Sequence, residues 1–478
     1  MKNRYKESGT KRFFIALLLF AGLQSSLTVE AEEALTDVST ETAQWWSRYS
    51  GASNDVQMPS ADWWKCFEDP VLDSLVEIGL QRNYNVAMAT RRIEIAKNAV
   101  GSAKASYYPS FSLGIGYDKE RASGLMYGSK GSVSNTSYLS GTINMSWEID
   151  VFGKVTAQVK AKKAAVEVSR ADHAGVLVSL AAQIATTYVD LRVAQAQITV
   201  ANEHAASQMK ALKIAEARYD SGLASRMDVD QAKTVYYSTI ASIPTLESSV
   251  RQYINALAVL VVENPDDLYE TLSVMGSIPA YLQPVANGIP ADLLRRRPDV
   301  VEAEKEIDEY AAQLGIAKKD YLPDLSLTGM VGVAAHRPGD IFKSGAFQYS
   351  IAPTLSWTIF DGLARKYNVS AARETLQNAV DNYNLTVMTA FEETDNALSA
   401  YFSDLKYIDN LTKLVQASAD YDKLAIDQYK NGIAAFINVA DAQVSYLTYD
   451  NTLIQAQGQA VIALIDLYKA LGGGWSND

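Results

Sequence analysis

The chain has 478 residues, 48% apolar and 21% charged, a balance that excludes both a disordered polymer and an unbroken helical membrane bundle. Its net charge is −12, and because Lys2, Arg4, Lys6, Lys11 and Arg12 outweigh Glu7 and Glu30 in the first 31 residues, the remainder is more acidic still. An acidic body repels phosphate backbones, so no nucleic-acid partner is expected. One cysteine excludes an internal disulfide framework and a multi-thiolate metal site, and three scattered histidines (His173, His204, His336) leave little for metal or acid–base chemistry.

Residues 1–31 read as a signal peptide: a basic stretch, an apolar run from Phe13 to Ala21, and Val29-Glu30-Ala31 as a cleavage site before Glu32. The run is too short to span a bilayer as a helix, which takes about 20 residues. Residues 32–70 are expected to be an N-terminal extended segment.

A first structural repeat is expected over 71–262, with a leading helix, strands at about 109–118 and 138–148, and long helices at about 154–221 and 227–262. In the strands, Phe111, Leu113, Ile115 and Tyr117 alternate with Ser110, Ser112, Gly114 and Gly116, and Leu139, Ile143, Met145 and Trp147 with Ser140, Thr142, Asn144 and Ser146. The helices carry apolar spacings such as Val176, Leu180, Ile184, Tyr188, and residues 154–221 hold no proline. Gly222 reads as a C-cap, and Pro244 is expected to kink or break the return helix.

Residues 263–290 read as an inter-repeat linker, since the charge-free stretch Thr271–Ala291 is broken by Pro279, Pro284 and Pro290. No helical membrane span is therefore expected, and a membrane role would have to rest on β-strands. A second repeat follows over 291–471, with strands at about 323–334 and 347–360 and helices at about 363–431 and 436–471, before a tail at 472–478. Here Leu325, Leu327, Val331 and Val333, then Tyr349, Ile351, Leu355, Trp357 and Ile359, line one face, and Gly432 is the second cap.

The two repeats are colinear. Ile93, Gly101, Ala103, Lys104, Tyr107, Pro109, Ser112 and Leu113 recur 214 residues later, and Trp147, Lys213, Ala215, Tyr219, Gly222, Ala224, Val229, Ala232 and Tyr236 recur 210 later. The period far exceeds solenoid units, so the chain is a duplicated half-molecule.

Strands of 9–11 residues, apolar on one face and small-polar on the other, suit a lipid-facing barrel around water; a sandwich hairpin with one buried face is the soluble alternative. Tyr117, Trp147, Tyr349 and Trp357 fit a barrel aromatic girdle near the strand ends. Four strands cannot enclose a channel, and an open sheet in lipid leaves unsatisfied edges. Several protomers must contribute, and three would give twelve strands. The fold class expected is mainly α with membrane β: long helical hairpins forming an α-barrel and four strands per protomer in a shared β-barrel.

Leu294-Arg295-Arg296-Arg297-Pro298-Asp299-Val300, Glu302-Ala303-Glu304, Ala317-Lys318 and Pro323 resemble the signature of outer-membrane efflux proteins, the TolC-like outer-membrane factors, in particular the NodT-type branch of tripartite efflux systems. Trp147-Glu148-Ile149-Asp150-Val151-Phe152-Gly153-Lys154, Phe67-Glu68-Asp69-Pro70 and the paired Tyr-x-x-Gly turns match too, and the resemblance covers roughly residues 63–471. It implies a homotrimer in outer-membrane lipid that extends into the periplasm, docked to a periplasmic adaptor and an inner-membrane pump. It further implies that Tyr219, Gly222, Leu223, Tyr429, Gly432 and Ile433 form tips that contact the adaptor, and that the pore is constricted where this chain has Asn438 and Asp441.

The family pattern there is two aspartates. Asn438 departs from it, so of the two acidic positions Asp441 alone carries over. Asp441 from three protomers would form a cation-favouring ring, or be an ordinary solvated residue near a helix start. NodT-type members often carry a lipobox cysteine after the signal; here Cys66 lies farther on and reads as a small buried residue, so the barrel alone should hold the membrane. Arg295-Arg296-Arg297 beside Pro298-Asp299 reads as a structural partner for carboxylates. Gly114-x-Gly116 sits in an alternating strand, and there is no phosphate loop, metalloprotease motif or nucleophile elbow. No catalytic residue, cofactor site or metal site is expected. The function expected is a passive exit duct for small toxic compounds such as drugs. A type I protein-secretion tunnel and a periplasmic coiled-coil adaptor remain the alternatives.

Overall fold

The computed structural model describes residues 62–122, 134–280 and 295–473; the expected signal peptide, most of the 32–70 segment and residues 281–290 of the linker lie outside the described residues. In order, the elements are α1 (Pro70–Arg82), α2 (Tyr84–Ala105), β1 (Ser110–Ala122), β2 (Ser134–Ile149), α3 (Lys154–Asp220) and α4 (Arg226–Val261). They continue as α5 (Pro265–Leu272), α6 (Pro298–Lys319), β3 (Asp324–Ala335), β4 (Phe347–Ser356), α7 (Ala364–Lys430) and α8 (Phe436–Ala470). The run α2-β1-β2-α3-α4 thus repeats as α6-β3-β4-α7-α8. Helices α3 and α7 each hold 67 residues, about 100 Å at 1.5 Å per residue.

The chain divides into two compact units: Met1–Arg91 with Ala171–Val301 and Asn384–Asp478, and Arg92–Arg170 with Glu302–Tyr383. In the first, Leu180, Ile184, Tyr188 and Leu191 of α3 pack with Ile254, Leu257 and Val261 of α4 and Leu464 and Ile465 of α8. An 18-residue window of α3 is apolar enough by composition for a membrane span, contrary to expectation, but half of it is buried within the protein. Its apolar side chains supply this core.

Among the described residues before α1, those from Trp63 to Phe67 are not extended. Trp63–Phe67 forms a 3₁₀ turn because Trp63, Trp64 and Phe67 all turn into the core, and Trp63 stacks on Tyr468 at 5.4 Å. Asp69 then caps α1, accepting from Val71 N at 2.9 Å and Leu72 N at 3.2 Å, and its other oxygen accepts from the Tyr188 hydroxyl at 2.7 Å. Cys66 is only partly buried, and burial pushes its thiol up to about 11.

Two further segments are helical. The linker opens with α5, because Asn264 caps it, Pro265 occupies its first turn, and Leu268 and Leu272 find the core. Helix α4 continues through Pro244: Val235, Thr239 and Val250 anchor the buried side of the helix around it, while Pro244 and Ile240 lie on the exposed side. A carbonyl left without a donor there can reach water.

In the second unit the sheet order is β1-β2-β3-β4, all antiparallel, leaving β1 and β4 as edges. Strand β4 ends at Ser356, four residues short of expectation, because its partner begins at Asp324, directly opposite. Trp357 and Ile359 therefore lie beyond the strand. Gly332 permits the tight β2–β3 approach: a Cβ there would fall 2.3 Å from the Gly141 carbonyl oxygen.

Candidate functional site

Two features are the candidates for function: the pair of interhelical turns and the faces of the sheet. The turns share one backbone design. Gly222 and Gly432 adopt φ of +72° and +75°, a region that favours glycine. After α3, Gly222 N donates to Tyr219 O at 2.8 Å and Leu223 N to Arg218 O at 2.8 Å; after α7, Gly432 N donates to Tyr429 O at 3.0 Å and Ile433 N to Gln428 O at 2.9 Å. These bonds satisfy the last carbonyls of each helix. The turns push Leu223 (69% exposed) and Ile433 (76%) into solvent.

The two tyrosines differ. Tyr219 is 45% exposed, as a docking residue would be, but Tyr429 is 3% exposed and is corrected from an external contact to an internal one. Its ring meets Phe436 edge-on at 5.1 Å, the Arg218 guanidinium lies 5.0 Å from its centroid, and its hydroxyl donates to Asp228 Oδ2 at 3.2 Å. Burial, with the Asp228 charge adding to it, pushes the phenol up to about 12. Arg218 ties the turns together, donating from Nη1 to Lys430 O at 2.9 Å and from Nη2 to Leu223 O at 3.3 Å. A cation suits these carbonyl-rich helix ends.

Beyond the second turn, Asn438 and Asp441 both sit on the exposed side of α8, one turn apart, while Val439, Ala440 and Ala442 are buried opposite. Arg297 is paired as its surroundings require: it donates to both oxygens of Asp299 (3.0 and 2.7 Å), to Glu393 at 2.7 Å, and to the Ala470 carbonyl at 2.9 Å.

Farther from the turns lies a polar cluster that sequence reasoning passed over. His204 Nε2 is 3.2 Å from Asp450 Oδ2, and its ring packs on Tyr446 at 4.4 Å. Buried Asp422 feels the same imidazole, and burial raises its carboxyl above the ordinary value. Gln208 is buried with both side-chain polar atoms unpaired, as are Asp422 Oδ1 and Gln443 Nε2. The missed signal is a mismatch between the repeats: at an offset of 210, Asp422 replaces Leu212, Asp450 replaces Ile240, and His204 stands where the second repeat has Leu414.

The sheet presents an apolar face outward. Phe111, Leu113, Ile115 and Tyr117 are 65–78% exposed, and Tyr349, Ile351 and Leu355 are similarly bare. The opposite face carries Ser110, Ser112, Asn144, Ser146, Thr328 and Ser350 around a shallow hollow. Trp147 Nε1 donates to Tyr107 O and Trp357 Nε1 to Tyr321 O, both at 3.0 Å, so the expected girdle tryptophans occupy equivalent places at the helix end of the sheet.

The outer membrane efflux protein family matches residues 75–261 and 289–473, one stretch per repeat. The chain belongs to that family. It is 27% identical to nodulation protein T of Rhizobium leguminosarum bv. trifolii, over 86% of this chain and 87% of that one. It is 28% identical to the solvent efflux pump outer membrane protein SrpC of Pseudomonas putida, with the same coverage. Among solved structures, the outer-membrane channel OprN superposes with a TM-score of 0.82 at 28% identity, over 89% of this chain and 97% of that one. The chain is thus an outer-membrane efflux channel that reaches into the periplasm, mainly helical with a membrane sheet.

Proposed function

We propose that three copies of this chain close their four-stranded sheets into one twelve-stranded barrel, and that the assembly is the passive exit duct of a pump that expels small toxic compounds. The carrying observation is the sheet: it has two unpaired edges and a bare apolar face, which neither water nor lipid tolerates unless the edges are closed. Relatives named as solvent, toluene and antibiotic efflux pump proteins support small apolar or amphipathic cargo. The exposed Leu223 and Ile433 are the apolar knobs on which a periplasmic adaptor seats, linking the duct to an inner-membrane pump that supplies the energy.

At the tip, Asp441 from the three protomers forms the selective ring, with Asn438 one turn nearer the helix start. The test joins oligomeric state to current. The purified protein should remain trimeric in mild detergent and conduct in discrete, cation-preferring steps in a planar bilayer. Asp441→Ala should reduce the cation preference and enlarge the steps. A monomer, or trimers whose selectivity is unmoved by the substitution, would overturn the barrel or the ring respectively.

A further inference from the structure

The long helices are held by two separate apolar cores. Toward the turns, Leu212 and Ala215 of α3, Val229 and Val235 of α4, Tyr429 of α7 and Phe436 of α8 pack together. Farther from the turns the same four helices supply Ile198, Val250, Tyr401 and Leu464 to the larger core. On α3 the cores resume at Ile198 and Ala211, about 20 Å apart at 1.5 Å per residue.

A polar layer lies between them. His204 and Gln208 of α3, Thr239 of α4, Ser418 and Asp422 of α7 and Gln443 of α8 are all buried there. The Ser418 and Thr239 hydroxyls donate to carbonyls of their own helices, Leu414 O at 2.6 Å and Val235 O at 3.3 Å. Gln208, Asp422 Oδ1 and Gln443 Nε2 are left without partners. Pro244 falls in the same interval of α4 and takes one backbone donor from it. A layer so poorly satisfied holds the helices less firmly than either core.

The charges around Asp422 do not balance. From α3 the His204 imidazole faces it, but its Nε2 is already 3.2 Å from Asp450 Oδ2 of α8. From α8, Tyr446 lies close to both carboxylates and to Glu203 of α3, while Thr239 of α4 brings no charge. Lys423, the neighbour on α7, is exposed. One imidazole therefore stands between two carboxylates, and an ionised Asp422 leaves a buried negative charge uncompensated. Burial accordingly raises this carboxyl.

We propose that the layer is a proton-sensitive hinge on which the tip tilts as one body, closed while Asp422 holds its proton and opened by water when Asp422 ionises. The tip moves whole because the ties of Arg218 to Lys430 O and of Tyr429 to Asp228 lie on its side of the layer. Asp441, Leu223 and Ile433 lie on that side too, so one tilt moves the carboxylate and both apolar knobs. The hinge rests on the reading that three protomers enclose the pore.

Electron spin distances across the full-length trimer test it. Cys66→Ala with Ser221→Cys places one label on each tip, and Asp441→Asn in the same chain removes repulsion within the pore ring. The lever from Gln208 to Ser221 is about 20 Å, so a tilt of about 10° lengthens the distance between labels by about 6 Å. That lengthening is expected on going from pH 5 to pH 8. With Gln183→Cys in place of Ser221→Cys, the label sits in the body and its distance should hold. Adding Asp422→Asn should fix the tip at its pH 5 distance throughout. Asp422→Leu, which installs the residue of the first repeat and joins the two cores, should do the same. A tip distance indifferent to pH, or a lengthening that survives both substitutions, overturns the hinge. Equal lengthening at Gln183 also overturns it, since whole protomers would then be moving apart. Absence of any distance between protomers would instead count against the trimer, so the two failures are distinguishable.

Discussion

The two repeats end in superimposable backbone designs and unlike chemistry. Each long helix stops at a left-handed glycine with the same pair of turn hydrogen bonds, yet the partners exchanged between the turns are one-sided. Arg218 of the first repeat reaches the Lys430 carbonyl of the second, whereas Gln428, its counterpart at an offset of 210, makes no corresponding reach. Tyr429 is buried against Asp228 while Tyr219 faces solvent. Duplication preserves what the backbone needs, and the side chains diverge where the two copies meet. The dissimilar positions are therefore the ones that can hold or release the tip.

Replacing Arg218 should break this comparison most strongly. Arg218→Ala removes two charge-assisted bonds to carbonyls and the contact with the Tyr429 ring, a loss on the order of 2–3 kcal/mol. Gln428→Ala should stay within about 0.5 kcal/mol, the usual range for a surface change. Thermal unfolding of the two variants measures the gap, and the Arg218 variant should also pass larger current. Equal losses would mean that the turns are energetically alike after all.

Next comes Asp422, which stands where the first repeat has Leu212. Burial holds its carboxyl above the ordinary value, with the His204 and Lys423 charges opposing. The folded state therefore favours the proton: the associated stability is complete below the usual carboxylate range and is lost as pH rises through the raised value. Asp422→Asn mimics the protonated form at every pH. It should melt about 2–4 °C higher than wild type at pH 8, with the difference vanishing near pH 4. A constant difference across that range would show that the carboxyl does not titrate with folding.

Much of the fold was legible because its signals are local and written twice. The colinear residues disclose the duplication, the period of two discloses four strands, and glycine after a proline-free run fixes the ends of α3 and α7. Relational properties were not legible. Trp63, Trp64 and Phe67 make a turn only because a core waits for them, and β4 stops at Ser356 only because β3 has no residue left to pair. Pro244 stays within a helix because the packed side around it outweighs one lost donor. At the tip, Tyr219 and Tyr429 share the same Tyr-x-x-Gly motif, so no local pattern could say which one is buried. Comparing the repeats position by position would have marked Asp422, Asp450 and His204, each opposite an aliphatic residue.

The hydroxyls of the two tyrosines give the smallest and cleanest contrast. Tyr429→Phe keeps the ring against Phe436 and Arg218 and deletes one bond to Asp228, so the loss should be about 0.5–1.5 kcal/mol. Tyr219→Phe removes a hydroxyl from an exposed ring and should cost nothing measurable in stability. Because the Tyr429 phenol is pushed up to about 12, it stays protonated through the physiological range, and the Tyr429→Phe deficit should be flat between pH 6 and 9. Asp422→Asn changes with pH as the pH rises from 4 to 8, so the two variants separate a permanent tie from a titrating one. If the deficit of Tyr429→Phe instead followed pH, the bond to Asp228 would be coupled to the polar cluster around His204, and the tip and that cluster would be a single device.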